Sequence, residues 1–93
     1  MRRIEYTSAF RRDFKREKKG RHLRDLDSCV STIVSILADD QPLPPKNRDH
    51  GLAGNWADHR ECHLMPDPLL IYRKPNAESL QLVRPGSHSE LFG

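Results

Sequence analysis

The chain has 93 residues, 35% of them hydrophobic and 31% charged, with a formal net charge of +3, so it has room for one small core beneath a heavily charged surface. No apolar stretch approaches the roughly 20 residues that a membrane span requires, and Met1-Arg2-Arg3-Ile4-Glu5-Tyr6 has no apolar segment after its arginines to act as a signal peptide. These features point to one cytoplasmic domain over residues 1–93 with no membrane association, its Cys29 and Cys62 reduced and serving as small hydrophobes.

From the N-terminus, Arg2 to Tyr6 reads as a short strand with Ile4 and Tyr6 on one face, followed by Thr7-Ser8 as a candidate helix N-cap. Phe10 and Phe14, four apart among Arg11, Arg12, Lys15, Arg16, Lys18 and Lys19, predict a short amphipathic helix with a very basic outer face, broken at Gly20. Leu23, Leu26, Val30, Ile33, Val34 and Leu37 repeat at three and four, predicting a second helix to about Asp39 and an antiparallel helical hairpin. A long loop from about Asp40 to Trp56 comes next, and loops of that length are often functional. Three strands then follow over Asp58–Leu64, Leu69–Tyr72 and Ser79–Arg84, with Pro75-Asn76-Ala77 as the turn between the last two. The order implies an α+β fold: N-terminal strand, helical hairpin, antiparallel β-meander and a short C-terminal helical turn.

Charge divides sharply along this order. Residues 1–24 hold ten Lys/Arg against Glu5, Asp13 and Glu17, a balance of +7, whereas residues 25–93 hold six against ten carboxylates, a balance of −4. Such clustering favours a polyanion or an acidic protein segment as partner. Four histidines, His50, His59, His63 and His88, fall in the second half of the chain. Imidazole takes and gives protons near neutral pH, so several of them beside a carboxylate and arginines supply the parts for cutting a phosphodiester.

Asp49-His50-x-Leu52-x-Gly54-x-Trp56, Arg60-Glu61-x-His63, Pro66-Asp67, Leu70-Ile71-Tyr72 and Gly86-Ser87-His88-x-x-Leu91-Phe92 occur in that order after a basic first helix. The set resembles the YafQ-type toxins of the RelE/ParE superfamily over almost the whole chain. The resemblance implies the toxin of a type II toxin–antitoxin pair: an endoribonuclease that cleaves mRNA on the ribosome and is masked by a cognate acidic antitoxin. It places the functional residues on His50, His63, Asp67 and His88, with Arg84 and Phe92 supporting substrate binding. The chain departs from the pattern at Pro68, where relatives usually carry Trp, at Pro85, where Thr or Ser is common, and at His59, which replaces a common aromatic.

A metal-independent ribonuclease uses the RNA 2′-hydroxyl as nucleophile and needs a base, a charge stabiliser and an acid. His88, after the Gly86-Ser87 turn, is the candidate acid. His50 and Asp67 are alternative candidates for the base, and His63, on the strand face shared with His59 and Glu61, holds the phosphate or positions His50. Arg84 is the leading candidate to stabilise transition-state charge and Arg60 the next, since a guanidinium grips phosphate without losing its proton. Phe92 is placed to stack on a base, and Arg11, Arg12, Lys15 and Arg16 to bind ribosomal RNA. No cofactor is expected, and adjacent Cys62 and His63 point to opposite faces, which argues against a shared metal ion. The rival readings are a gyrase poison of the same fold, as in the ParE branch, and a non-catalytic RNA- or antitoxin-binding module.

Overall fold

A computed structural model describes residues 1–20, 26–64, 68–87 and 91. Five strands and two helices follow in the order β1 (Arg3–Tyr6), α1 (Ser8–Gly20), α2 (Leu26–Ala38), β2 (His50–Gly51), β3 (Arg60–His63), β4 (Leu69–Arg73) and β5 (Ser79–Gly86). The sheet order is β1-β5-β4-β3-β2. β1 runs parallel to β5, and all other neighbours are antiparallel. This is the α+β arrangement and meander that the pattern predicted, with one added strand.

That strand, β2, lies inside the segment expected to be a long loop. Two single-turn 3-10 helices, Pro45–Asn47 and Gly54–Trp56, organise the rest of the segment. β3 begins at Arg60 rather than Asp58, so His59 precedes the strand, and β5 extends two residues past Arg84. Residues 21–25, the expected hairpin turn with Leu23, lie outside the described residues. Lys18 at the end of α1 still pairs with Asp27 at the start of α2, at 2.7 Å.

Thr7 explains how α1 is placed. Its hydroxyl accepts the Phe10 N–H at 2.9 Å, the bond of a helix N-cap, and donates to the Val83 carbonyl at 2.6 Å. β1 pairs with β5 only as far as Tyr6 opposite Leu82. Beyond that point α1 takes the strand's place beside the second half of β5. Pro85 sits in this stretch, where β5 has a strand on one side only, a position that tolerates a missing N–H. Pro68 closes the β3–β4 connection, its carbonyl accepting the Leu64 N–H at 3.1 Å.

The main core lies between helices and sheet. Phe10 and the α2 stripe Leu26, Val30, Ile33, Val34 and Leu37 pack on Cys62, Leu64, Leu70, Tyr72, Leu80 and Leu82. Leu69, Ile71 and Leu91 form a smaller cluster on the other sheet face, with Leu52, Trp56 and Val83 packed against it. Leu91 donates its N–H to the Ser87 carbonyl at 3.1 Å, just past the end of β5. A Cβ added at Gly86 would lie 3.3 Å from Leu91 Cδ2, so glycine lets the Leu91 side chain pack closely against the end of β5.

Candidate active site

Strand alternation decides which side chains meet. His50 is opposite Glu61, Glu61 opposite Ile71, and Ile71 opposite Arg84, forming one row across β2, β3, β4 and β5. Glu61 and His63 share a face because they are two apart on β3. The result is a carboxylate flanked by two imidazoles. Glu61 Oε1 lies 3.9 Å from His50 Nε2 and 3.8 Å from His63 Nε2, and only 4% of Glu61 is exposed.

The His50 ring is oriented by its own loop. Its Nδ1 is 2.7 Å from the Arg48 carbonyl oxygen. A carbonyl can only accept, so Nδ1 carries the hydrogen and the lone pair of the neutral ring stays on Nε2, the atom facing Glu61. Arg48 presents that carbonyl from a left-handed conformation, φ 47°, where it caps the Pro45–Asn47 turn. Asn47, 4% exposed, donates Nδ2–H to the His63 carbonyl at 2.7 Å, tying the loop that carries His50 to the strand that carries His63.

Asp49 anchors the same loop from the opposite face. Its Oδ1 accepts the Tyr72 hydroxyl at 2.6 Å and Arg60 Nε–H at 3.2 Å. Burial, and then the bond to Asp49, push the Tyr72 phenol well above its usual range, which favours its role as hydrogen-bond donor. Arg60, expected as a second phosphate ligand, is thus on the far side of β3 from Glu61 and His63. Its Nε is taken up by Asp49, and about half of its side chain remains exposed.

A register irregularity between Ile71 and Tyr72 sets Val83 and Arg84 together opposite one interval of β4. Arg84 Nε donates to Asp13 Oδ2 at 2.7 Å, and Asp13 is fully buried on α1. Strands stand about 4.8 Å apart, so the backbones of Glu61 and Arg84 are separated by about 10 Å, within reach of one phosphate from either side.

Among the expected site residues, His50, His63 and Arg84 therefore share one sheet face. Arg12 and Arg16 approach it through Asp13, at 3.3 and 3.5 Å. Arg11 instead stacks over the Tyr6 ring, 5.3 Å from its centroid, beside a groove of about 450 Å³ between α1 and α2. Lys15 is exposed on α1. Asp67, His88 and Phe92 lie outside the described residues. Glu61, Asp13 and Asn47 had been given no role from sequence. Signals for two of them exist: Glu61 is in phase with His63 at two, and Asp13 is in helical phase with Phe10 at three.

Cys62 is buried on the core face, and burial pushes its thiol up to about 12. Cys29 Sγ–H donates to the Leu64 carbonyl. Cys29 and Cys62 are both free cysteines. Among the described residues, no group of three or more His, Cys, Asp or Glu side chains is placed to hold a metal ion.

Comparison with known proteins supplies the family. The model of the bacterial toxin of type II toxin–antitoxin systems, YafQ, matches residues 2–93. The mRNA interferase toxin YafQ of Escherichia coli K12 is 35% identical over 90 residues, 97% of this chain and 95% of its own length. The toxin in the E. coli DinJ–YafQ complex superposes with a TM-score of 0.85 at 33% identity, with both chains fully covered. A metal-bound toxin from Helicobacter pylori matches with a TM-score of 0.85 and 46% identity over 99% of this chain and 100% of its own. The chain belongs to the YafQ family, the toxins of bacterial type II toxin–antitoxin systems.

Proposed function

We propose that this toxin is an endoribonuclease that cuts mRNA on the ribosome by acid–base chemistry. The observation that carries the reading is the buried Glu61 carboxylate set within 4 Å of the Nε2 atoms of both His50 and His63. Arg84 stands in the same row of the sheet. Its relative in E. coli bears the name mRNA interferase.

In the proposed reaction His50 Nε2 removes the proton of the RNA 2′-hydroxyl, and Glu61 faces the positive charge that then forms on the ring. The 2′-oxygen attacks phosphorus. Arg84, held through Nε, balances the charge on the phosphorane with the outer edge of its guanidinium. His63 holds the phosphate from the Glu61 side. His88 protonates the 5′-oxygen as the P–O5′ bond breaks, leaving a 2′,3′-cyclic phosphate and a 5′-hydroxyl. Asp67 is the alternative base, or orients an imidazole. Phe92 stacks on a base of the cleaved strand, and the basic face of α1 meets ribosomal RNA. The partner is a cognate antitoxin, since the relative forms a DinJ–YafQ complex, and the +7 balance of residues 1–24 suits an acidic one. The site of action is the cytoplasm, where programmed ribosomes are found.

Neither a gyrase poison nor a non-catalytic binding module needs a carboxylate between two imidazoles, and no observation favours either. The test is incubation of the purified chain with ribosomes programmed by a short mRNA, followed by mapping of the new ends. Cleavage should yield a cyclic phosphate, stop when the cleaved nucleotide is 2′-deoxy, and fail in His50→Ala and His88→Ala. Undiminished cutting of the 2′-deoxy message would refute the 2′-hydroxyl mechanism, and an all-ribose message left uncut by the wild-type protein would refute the nuclease reading.

A further inference from the structure

Asp13 is a fully buried carboxylate on a helix whose other face is crowded with cations. Three guanidinium groups surround it. Arg84 Nε lies 2.7 Å from Oδ2, Arg12 Nε lies 3.3 Å from Oδ1, and Arg16 Nη1 lies 3.5 Å from the same Oδ1. Asp13 gathers three positive groups, and even with the buried Glu17 carboxylate, whose Oε1 lies 3.8 Å from a Cβ added at Gly86, cations outnumber acids where α1 adjoins the end of β5. A buried carboxylate is costly to keep unless strong hydrogen bonds satisfy it. Here those bonds come from both elements at once. Nε is the inner donor of the arginine fork, and a bond to it fixes the plane of the guanidinium while the two Nη groups extend beyond it.

We infer that Asp13 is a positioning residue: it aims Arg84 at the scissile phosphate and gathers Arg12 and Arg16 into an adjoining subsite for a neighbouring phosphate of the same RNA strand. The inference rests on the nuclease reading. It also moves Arg12 and Arg16 from ribosomal RNA, where sequence alone had put them, to the substrate. Charge density on α1 then has two parts. Arg12 and Arg16 belong to the cleft through Asp13, and Arg11 faces the groove beside Tyr6.

The test measures single-turnover cleavage of ribosome-bound mRNA by the full chain, giving a saturated rate and a half-saturating concentration. Asp13→Asn should slow the saturated rate about 10- to 100-fold, the scale of a misplaced catalytic group. In an Arg84→Ala background the same change should cost less than about threefold, because the pair acts as a unit. Equal losses in both backgrounds overturn the positioning role. Arg84→Lys decides the matter if Asp13→Asn does not fold: it keeps the charge but lacks the fork, and a wild-type rate with lysine overturns the claim.

The subsite is read from the salt dependence of binding to ribosomes carrying 2′-deoxy mRNA and to ribosomes without mRNA. Arg12→Ala and Arg16→Ala should each lower the mRNA-dependent part of the slope by about one. An equal loss on empty ribosomes returns these residues to ribosomal RNA and overturns the subsite. A wild-type protein that cuts nothing removes the nuclease reading and this inference with it, whereas wild-type cleavage with additive losses removes the Asp13 assignment alone.

Discussion

Asp49 Oδ1 accepts the Tyr72 hydroxyl at 2.6 Å, so a core side chain of β4 holds the residue next to His50. Tyr72→Phe keeps the packing and deletes this bond. A hydrogen bond to a charged group contributes about 1.5–3 kcal/mol, and Arg60 remains to satisfy part of Asp49, so a stability loss of about 1–2 kcal/mol is expected in urea denaturation. Cleavage should slow as well, because His50 loses its anchor. Wild-type activity in a destabilised Tyr72→Phe protein would show that the Asp49 clamp serves folding alone.

Glu61→Gln keeps the volume and shape of the side chain, removes its charge and turns one acceptor oxygen into an N–H donor. With Glu61 Oε1 within 4 Å of both imidazoles, the proposed role is to offset the charge that His50 gains during reaction. Rates should fall at least about 10-fold, the lower part of the range for a well-placed acid–base partner. Thermal unfolding should change by only a few degrees. The comparison with His63→Ala is informative: if Glu61 acts chiefly by holding His63, the double variant is no worse than either single one.

How these groups meet shows what was legible in the sequence. The three-and-four repeat of α2 and the apolar run Leu69–Tyr72 declare their elements because one burial pattern repeats within each. Thr7 was readable as a cap because its type and place before Phe10 satisfy a local rule. β2 was not, since two residues contain no period; its pairing with Arg60 and Glu61 is a tertiary choice. Asp13 was hidden for a different reason. Seen along the chain, it is one acid among many bases, and only the ending of β1 at Tyr6 brings α1 against Arg84. Arg60, expected as a phosphate ligand, shares its parity on β3 with Cys62 and not with Glu61 and His63, which only strand alternation reveals.

Cys62 offers a chemical check on the core. Its thiol is raised from the ordinary 9.0 to about 12, with burial as the largest cause. The thiolate is the reactive form, so iodoacetamide at pH 8 should leave Cys62 unmodified in the native protein and label it after denaturation. The sign for stability follows from the raised value. The folded state keeps this proton longer than the unfolded one, so the contribution is complete below pH 9 and is lost as pH rises towards 12. Cys62→Ala should therefore flatten the alkaline fall of the melting temperature. Rapid native labelling of Cys62, read by peptide mass spectrometry, would contradict its buried position.

Acid titration tests a second junction, far from the candidate site. Asp40 follows the end of α2 in a left-handed conformation, φ 55°, and accepts from Lys74 Nζ at 2.6 Å and Arg2 Nε at 2.8 Å. The hydrogen bond from Lys74, then that from Arg2, lower its carboxyl from 3.8 to about 2. A lowered folded value means that the stabilisation is present above pH 3.8 and is lost as pH falls towards 2. Solvent screens this exposed pair, so the effect should be small and weakened further by salt. Asn tolerates the left-handed conformation, which makes Asp40→Asn a clean probe of charge. Its melting temperature should lie below wild type at pH 6 in low salt, and the two curves should converge near pH 2; a gap that persists at pH 2 would assign the loss to geometry instead of charge.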